Sequence, residues 1–227
     1  MSRRPAPAPT SPVAPAAPAP RPTAAPGRPK DLEKGSAILE AARQLFTSQG
    51  FDATSMDQIA TAAGVSKLTV YSHFGDKETL FAAVVKSYCE QQLPDALFDA
   101  QPGLPLRERL LGVARAFFGM ISAPEAVAGH RILCSPRMTE SPLPRMFWEA
   151  GPERVQAAFA ELLRRRDAAG ELEIEAIPRA SAQFFTLLKG EAHARMVFGC
   201  GAGMAARDAE RHIEATVDMF LRAYGRR

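Results

Sequence analysis

Cysteine is scarce in this chain. Cys89, Cys134 and Cys200 are spread through 227 residues, in no metal-ligand spacing and in no even set that would frame disulfides. An odd count fits a reducing cytoplasm, and burial as small apolar side chains is the expectation for each. No apolar run approaches the ~18 residues of a membrane span, so no membrane association is expected. Net charge is low as well, +3 from 28 basic and 25 acidic residues, too little to mark a nucleic-acid binder by itself. Aromatics are few, at 7%, so any cluster of them stands out.

Proline is plentiful at one end only. Ten of the 19 prolines fall within residues 1–29, where ladder-forming structure is excluded and a disordered or polyproline arm is expected over 1–30. The arm carries five basic residues and no acid, whereas residues 31–90 carry five basic and eight acidic ones. The arm lacks the continuous apolar core of a secretory signal.

The most informative stretch runs from Ser55 to Lys77. Ser55 with Gln58 three residues later fits a capping box opening a short helix. Gly64 supplies a turn, Ser66 can cap a second short helix, and Gly75 can end it in a left-handed conformation. Asp76 can cap a further helix, with Glu78 in its first turn. In the second short helix Val70 and Phe74 share a side that can face a core. Lys67 and Tyr71 share another, with Leu68 and Ser72 beside it. Hydroxyls, a cation and a leucine suit base edges, phosphates and thymine methyls. The spacing fits a helix-turn-helix and fits an ordinary pair of small helices equally well.

The residues themselves distinguish the two. Ile59-Ala60, Ala63-Gly64-Val65-Ser66-Lys67, Thr69-Val70-Tyr71, His73-Phe74, Asp76-Lys77-Glu78 and Leu80-Phe81 resemble, in order and spacing, the DNA-binding domain of the TetR/AcrR transcriptional repressors. The likeness runs from about residue 34 to 85. Leu68 departs from it, standing where relatives often carry Gly, Pro, Ala or Gln. The resemblance implies an all-α fold: a helix-turn-helix domain over 31–76, a connecting helix over 77–93, and a larger helical ligand-binding and dimerisation domain over 94–227. It implies a homodimer through the last two helices, about 179–198 and 205–224, and a palindromic DNA operator as partner. The candidate DNA contacts are Arg28, Lys30, Ser55, Met56, Lys67, Leu68, Thr69, Tyr71, Ser72, His73 and Lys77. Lys77 and the first-turn N–H groups of its helix could hold one phosphate, and His73 could donate to another.

Beyond residue 93 the pattern is helical throughout. Helices are expected at 106–121 and 125–134, then a long one from 144 to 169, kinked if anywhere at Gly151-Pro152 and closed by Gly170. Arg164-Arg165-Arg166 near its end complements the helix dipole. Residues 171–177 read as a loop. Two final helices are separated by a glycine-rich turn that does not have the spacing of a phosphate loop. Aromatic and polar residues of the middle helices are the candidate contacts for a small-molecule effector: Phe117, Phe118, Ile121, His130, Arg131, Phe147, Trp148 and Phe184. A plain hydrophobic core fits each of them as well. No cofactor and no metal site is expected. His130 and Cys134 are four apart on one helix but lack a third catalytic partner, so the chain is not expected to be an enzyme. A pure scaffold remains the other alternative.

Overall fold

The computed structural model describes residues 28–98, 103–201 and 203–226. The proline-rich segment 1–27 lies outside these. Among the described residues the chain is all-α. Its helices are α1 (Arg28–Gln49), α2 (Met56–Ala62), α3 (Lys67–Phe74), α4 (Lys77–Gln92), α5 (Leu106–Ser122), α6 (Pro124–Leu133), α7 (Leu143–Ala150), α8 (Pro152–Ala168), α9 (Ile177–Phe198) and α10 (Ala206–Tyr224). Short 3-10 turns lie at Asp95–Leu97 and Pro136–Met138. Leu172 and Gly225 form an isolated bridge.

Two apolar cores organise the chain. The first joins α1 to α4. Ile38, Ala42 and Phe46 recur at one-turn intervals on α1 and close over Met56, Ile59, Val70 and Leu80. The backbone termini here are satisfied locally. Ser55 Oγ accepts from Gln58 N at 3.2 Å while Gln58 Oε1 accepts from Ser55 N at 2.8 Å. The α2 end is a Schellman motif, Val65 N bonding Ala60 O and Gly64 N bonding Thr61 O.

At the end of α3 the geometry differs from the expected left-handed cap. Gly75 has φ 74° and ψ −68°, and Asp76 N bonds Phe74 O at 2.8 Å. That is a γ-turn, a strained conformation that glycine adopts with least penalty. It reverses the chain within one residue so that Asp76 can accept from Thr79 N at 2.6 Å and start α4.

The second core is built by α5, α8, α9 and α10. Phe159, Phe184 and Phe220 lie at its centre, essentially without solvent exposure. The Phe159 and Phe184 rings stack with centroids 4.5 Å apart, and Phe220 meets Phe184 edge-on at 5.1 Å. The helix expected over 144–169 is two helices. Pro152 has no N–H to continue α7. At Gly151 an added Cβ would meet Val85 Cγ1 of α4 at 3.1 Å, so the break is also where α4 crosses closely.

A second interruption lies inside α9, at Gly190, with φ 49° and ψ −162°. Nothing in the helical periodicity of 179–198 announces it. Beside the break, His212 Nε2 of α10 donates to the Leu188 carbonyl at 2.9 Å.

Among the described residues no single helix is long and apolar enough to cross a membrane. The bent pair α5–α6 passes by composition, but the apolar residues of α5 are buried in the core. Of the three cysteines expected inside, Cys134 and Cys200 are exposed and Cys89 is half-buried.

Candidate nucleic-acid interface and interior cavity

The exposed side of α3 presents a compact polar surface. Ser66 Oγ accepts from Thr69 N at 3.1 Å and lies 2.8 Å from Thr69 Oγ1. Ser72 donates to the Thr69 carbonyl at 2.9 Å. Leu68 is 78% exposed and Tyr71 43%, although Val70 between them is fully buried. Lys67 Nζ sits 2.9 Å from Asp57 Oδ1 of α2 and 6.0 Å from the Tyr71 ring centroid. Such an exposed pair contributes little to stability, so the ammonium can exchange Asp57 for a phosphate. Lys67, Leu68, Thr69, Tyr71 and Ser72 thus share one outward face.

Other expected contacts are placed differently. Met56 is buried in the first core, because its position at the start of α2 faces α1. The basic stretch before the first helix is partly helical, α1 beginning at Arg28, so Arg28 and Lys30 lie on its first turn. Ser55 is the N-cap of α2 and its oxygen is occupied by Gln58 N.

His73 is turned toward α1. Its Nε2 lies 3.1 Å from Asp31 Oδ1, and its ring packs over Gly35. Lys77 is turned inward too. Its Nζ donates to the carbonyls of Phe51 at 2.9 Å and Thr54 at 3.0 Å, and it lies 4.2 Å from the Phe51 ring centroid. The Asp76 carboxylate, held below its usual pKa by its bonds to Thr79, occupies the α4 N-terminus where a phosphate was expected. Spacing along the chain could not reveal this, because the carbonyls that capture Lys77 are more than 20 residues away.

A cavity of about 710 Å³ lies between the two cores. One wall is the end of α1 and the following loop, with Phe46 and Phe51. Another is α4, with Phe81, Val84, Tyr88 and Cys89. The remainder comes from α5 to α9. Of the expected effector contacts, Phe117, Ile121, His130, Arg131 and Phe147 line it. Phe118 and Phe184 belong to the packed core instead, and Trp148 is 48% exposed at the surface. Aromatic content alone does not distinguish a lining residue from a core residue. The α1 and α4 walls and Lys189 of α9 are not announced by the sequence, since one helix facing two partners gives a single apolar stripe.

The polar groups of the cavity are few. Arg131 donates to the Val197 and Met196 carbonyls, fastening α6 to the end of α9. The His130 ring meets Phe147 at 5.4 Å and His193 at 5.0 Å, both edge-on. Burial first, then His193 and Lys189, push His130 down to about 4, with Ala126 offsetting part of this. His193 is lowered by burial and by Lys189. Cys89 is pushed up to about 11, mainly by burial.

Comparison with known proteins fits this architecture. The family model for bacterial regulatory proteins of the tetR family matches residues 38–84, and that for the C-terminal domain of AefR-like transcriptional repressors matches residues 108–226. The chain belongs to the TetR family. Its homologues are helix-turn-helix transcriptional regulators, in a family of non-enzymatic DNA-binding proteins.

A solved TetR-family regulator from Mesorhizobium loti is 30% identical, covering 87% of this chain and 99% of that one, with a TM-score of 0.73. The flavonoid-responsive regulator FrrA is 37% identical over 86% of this chain and 98% of its own, with a TM-score of 0.67. Among curated relatives, the transcriptional regulator SrpR of Pseudomonas putida is 31% identical over 60% of this TetR-family chain and 62% of its own length. The activator FasR of Mycolicibacterium smegmatis is 34% identical over 41% and 42%. The chain thus spans about half the length of such relatives, which include an activator.

Proposed function

We propose that this TetR-family protein is a ligand-released repressor working in the cytoplasm. It binds an inverted-repeat operator as a homodimer paired through α9 and α10. One α3 offers too few side chains to select a site alone, whereas two on a two-fold axis read half-sites about one DNA turn, ~34–36 Å, apart or a multiple of it. Lys67, Leu68, Thr69, Tyr71 and Ser72 make the contacts, and Arg28 and Lys30 reach the flanking backbone or minor groove.

The observation that carries the ligand reading is the cavity between the two cores. Its walls include both the loop entering α2 and the α4 helix that follows the recognition helix. A molecule seated there touches the DNA-reading half directly. Its binding needs only ~1–3 kcal/mol of differential affinity to alter half-site spacing. The likeness to a regulator described as flavonoid-responsive favours an apolar, ring-bearing effector.

Selection of bound sequences from random DNA by the purified full chain tests the DNA reading. An inverted repeat should emerge, and a Tyr71→Ala protein should lose it while staying dimeric. Absence of any preferred sequence at moderate salt overturns the proposal. Titration of apolar ring compounds against the operator complex should release the DNA.

A further inference from the structure

One charged group in the cavity wall stands apart. Lys189, on α9 one turn after Phe185, lines the cavity beside it. Its side chain is largely withdrawn from water, and it has no hydrogen bond or ion pair among the described residues. The other cations of the wall are engaged. Arg43 is held by Glu40 at 2.7 Å, and Arg131 by the two α9 carbonyls. Glu125 also lines the cavity, at the end where it acts on Arg43 and Tyr88.

His130 and His193 lie close enough to Lys189 for its charge to act on both rings, and of the two His130 lines the cavity. Burial holds both imidazoles toward the neutral form, which leaves the positive charge beside them to Lys189. An ammonium without a partner therefore lies in the α9 wall of a cavity lined mainly by apolar side chains. A buried ammonium costs free energy until something complements it.

Resting on the reading of this cavity as the effector site, we propose that it takes an apolar ring-bearing molecule with one acidic oxygen group, whose anionic oxygen sits on the Lys189 ammonium on the side of His130. The apolar body of the ligand extends toward Phe117, Phe147 and the α1–α4 wall. The charge lies at the α9 end, so the effector is oriented as well as held. A neutral molecule of the same shape fills the same volume but leaves the ammonium uncompensated.

A matched pair of fluorescent probes tests this with the full-length protein. Anilinonaphthalene sulfonate carries the anion, and N-phenyl-1-naphthylamine is the same ring system without it. Each is titrated into the native chain and into Lys189→Met, Lys189→Arg and Gly129→Phe. The last adds a side chain where a Cβ meets nothing within 4 Å, on the cavity-lining face of α6. Both probes should bind the native chain, the sulfonate more tightly, and Gly129→Phe should exclude both. Lys189→Met should weaken the sulfonate by at least about tenfold, the worth of one charge-assisted bond. It should leave the amine within about twofold, and Lys189→Arg should restore most of the difference. Equal loss of both probes, or loss of neither, overturns the anion proposal while leaving the cavity a ligand site. Failure of both to bind the native chain, or binding that Gly129→Phe does not affect, removes the cavity reading and this inference with it.

Discussion

Lys77 and Phe51 are joined twice: the ammonium donates to the Phe51 carbonyl at 2.9 Å and lies 4.2 Å from the centre of its ring. A residue at the start of α4 thereby holds the loop that enters α2, and the same Phe51 lines the interior cavity. The start of the helix-turn-helix and the cavity wall share one side chain. Lys77→Met should therefore act on stability. Loss of two charge-assisted bonds in a half-buried site should cost about 1.5–3 kcal/mol, read as a lower urea midpoint. The salt dependence of operator binding should keep its slope. A slope reduced by about one, with stability unchanged, would instead mean that Lys77 contacts phosphate.

Leu68 and Tyr71 stand exposed on α3, the Tyr71 ring beside the Lys67 ammonium. Alanine at either should leave thermal stability within about 0.5 kcal/mol yet weaken operator binding by about 1–3 kcal/mol per half-site contact. Fluorescence anisotropy and a melting curve on the same sample compare the two. Stability loss without affinity loss would place these residues in the fold, not at the DNA.

Phe184 and Trp148 make an opposed pair. Phe184 is enclosed by Phe159, Phe185 and Phe220, so Phe184→Ala should cost about 3–5 kcal/mol through the cavity it leaves. Trp148→Ala, at a half-exposed site, should cost far less. Chemical denaturation of the two variants measures the contrast.

Acid should destabilise the protein through His130. Its folded pKa lies near 4, below its usual 6.5. Between those values the unfolded chain binds a proton that the native chain does not. Stability from this site is therefore present above pH ~6.5 and is lost as pH falls toward 4, by at most about 1.4 kcal/mol per pH unit. His130→Phe should flatten that limb in part, with His193, shifted in the same direction, retaining the rest. Urea titrations across pH 4–7 give the slope.

The thiols should divide by reactivity. Cys134 and Cys200 are exposed, while Cys89 is half-buried with its pKa pushed up to about 11. A disulfide reagent at pH 7.5 should modify two thiols rapidly and the third only on unfolding. Three equally fast equivalents would contradict the placement of Cys89.

Local chemistry was legible along the chain. The Ser55–Gln58 capping box, the Ser66 and Asp76 caps, the turn at Gly64 and most helix boundaries depend on residues three to five apart, and such interactions are written in the order of the residues. So is the outward polar side of α3, since helical periodicity alone separates Val70 from Tyr71.

Associations between distant segments were not legible. Lys77 bonds carbonyls 23 and 26 residues away, His73 faces α1, and Met56 is buried beneath it. The γ-turn at Gly75 and the break at Gly190 keep no periodicity that a sequence pattern could expose. The cavity needs α1, α4 and α5 to α9 to come together before it exists at all. Residue order determined which short segments become helices and how each begins and ends. Only the tertiary structure decided which cations remain free to meet a partner and which are consumed in holding the helices together. The reason is that a charged side chain pairs with whatever packing brings within about 3 Å, and that distance is independent of separation along the chain.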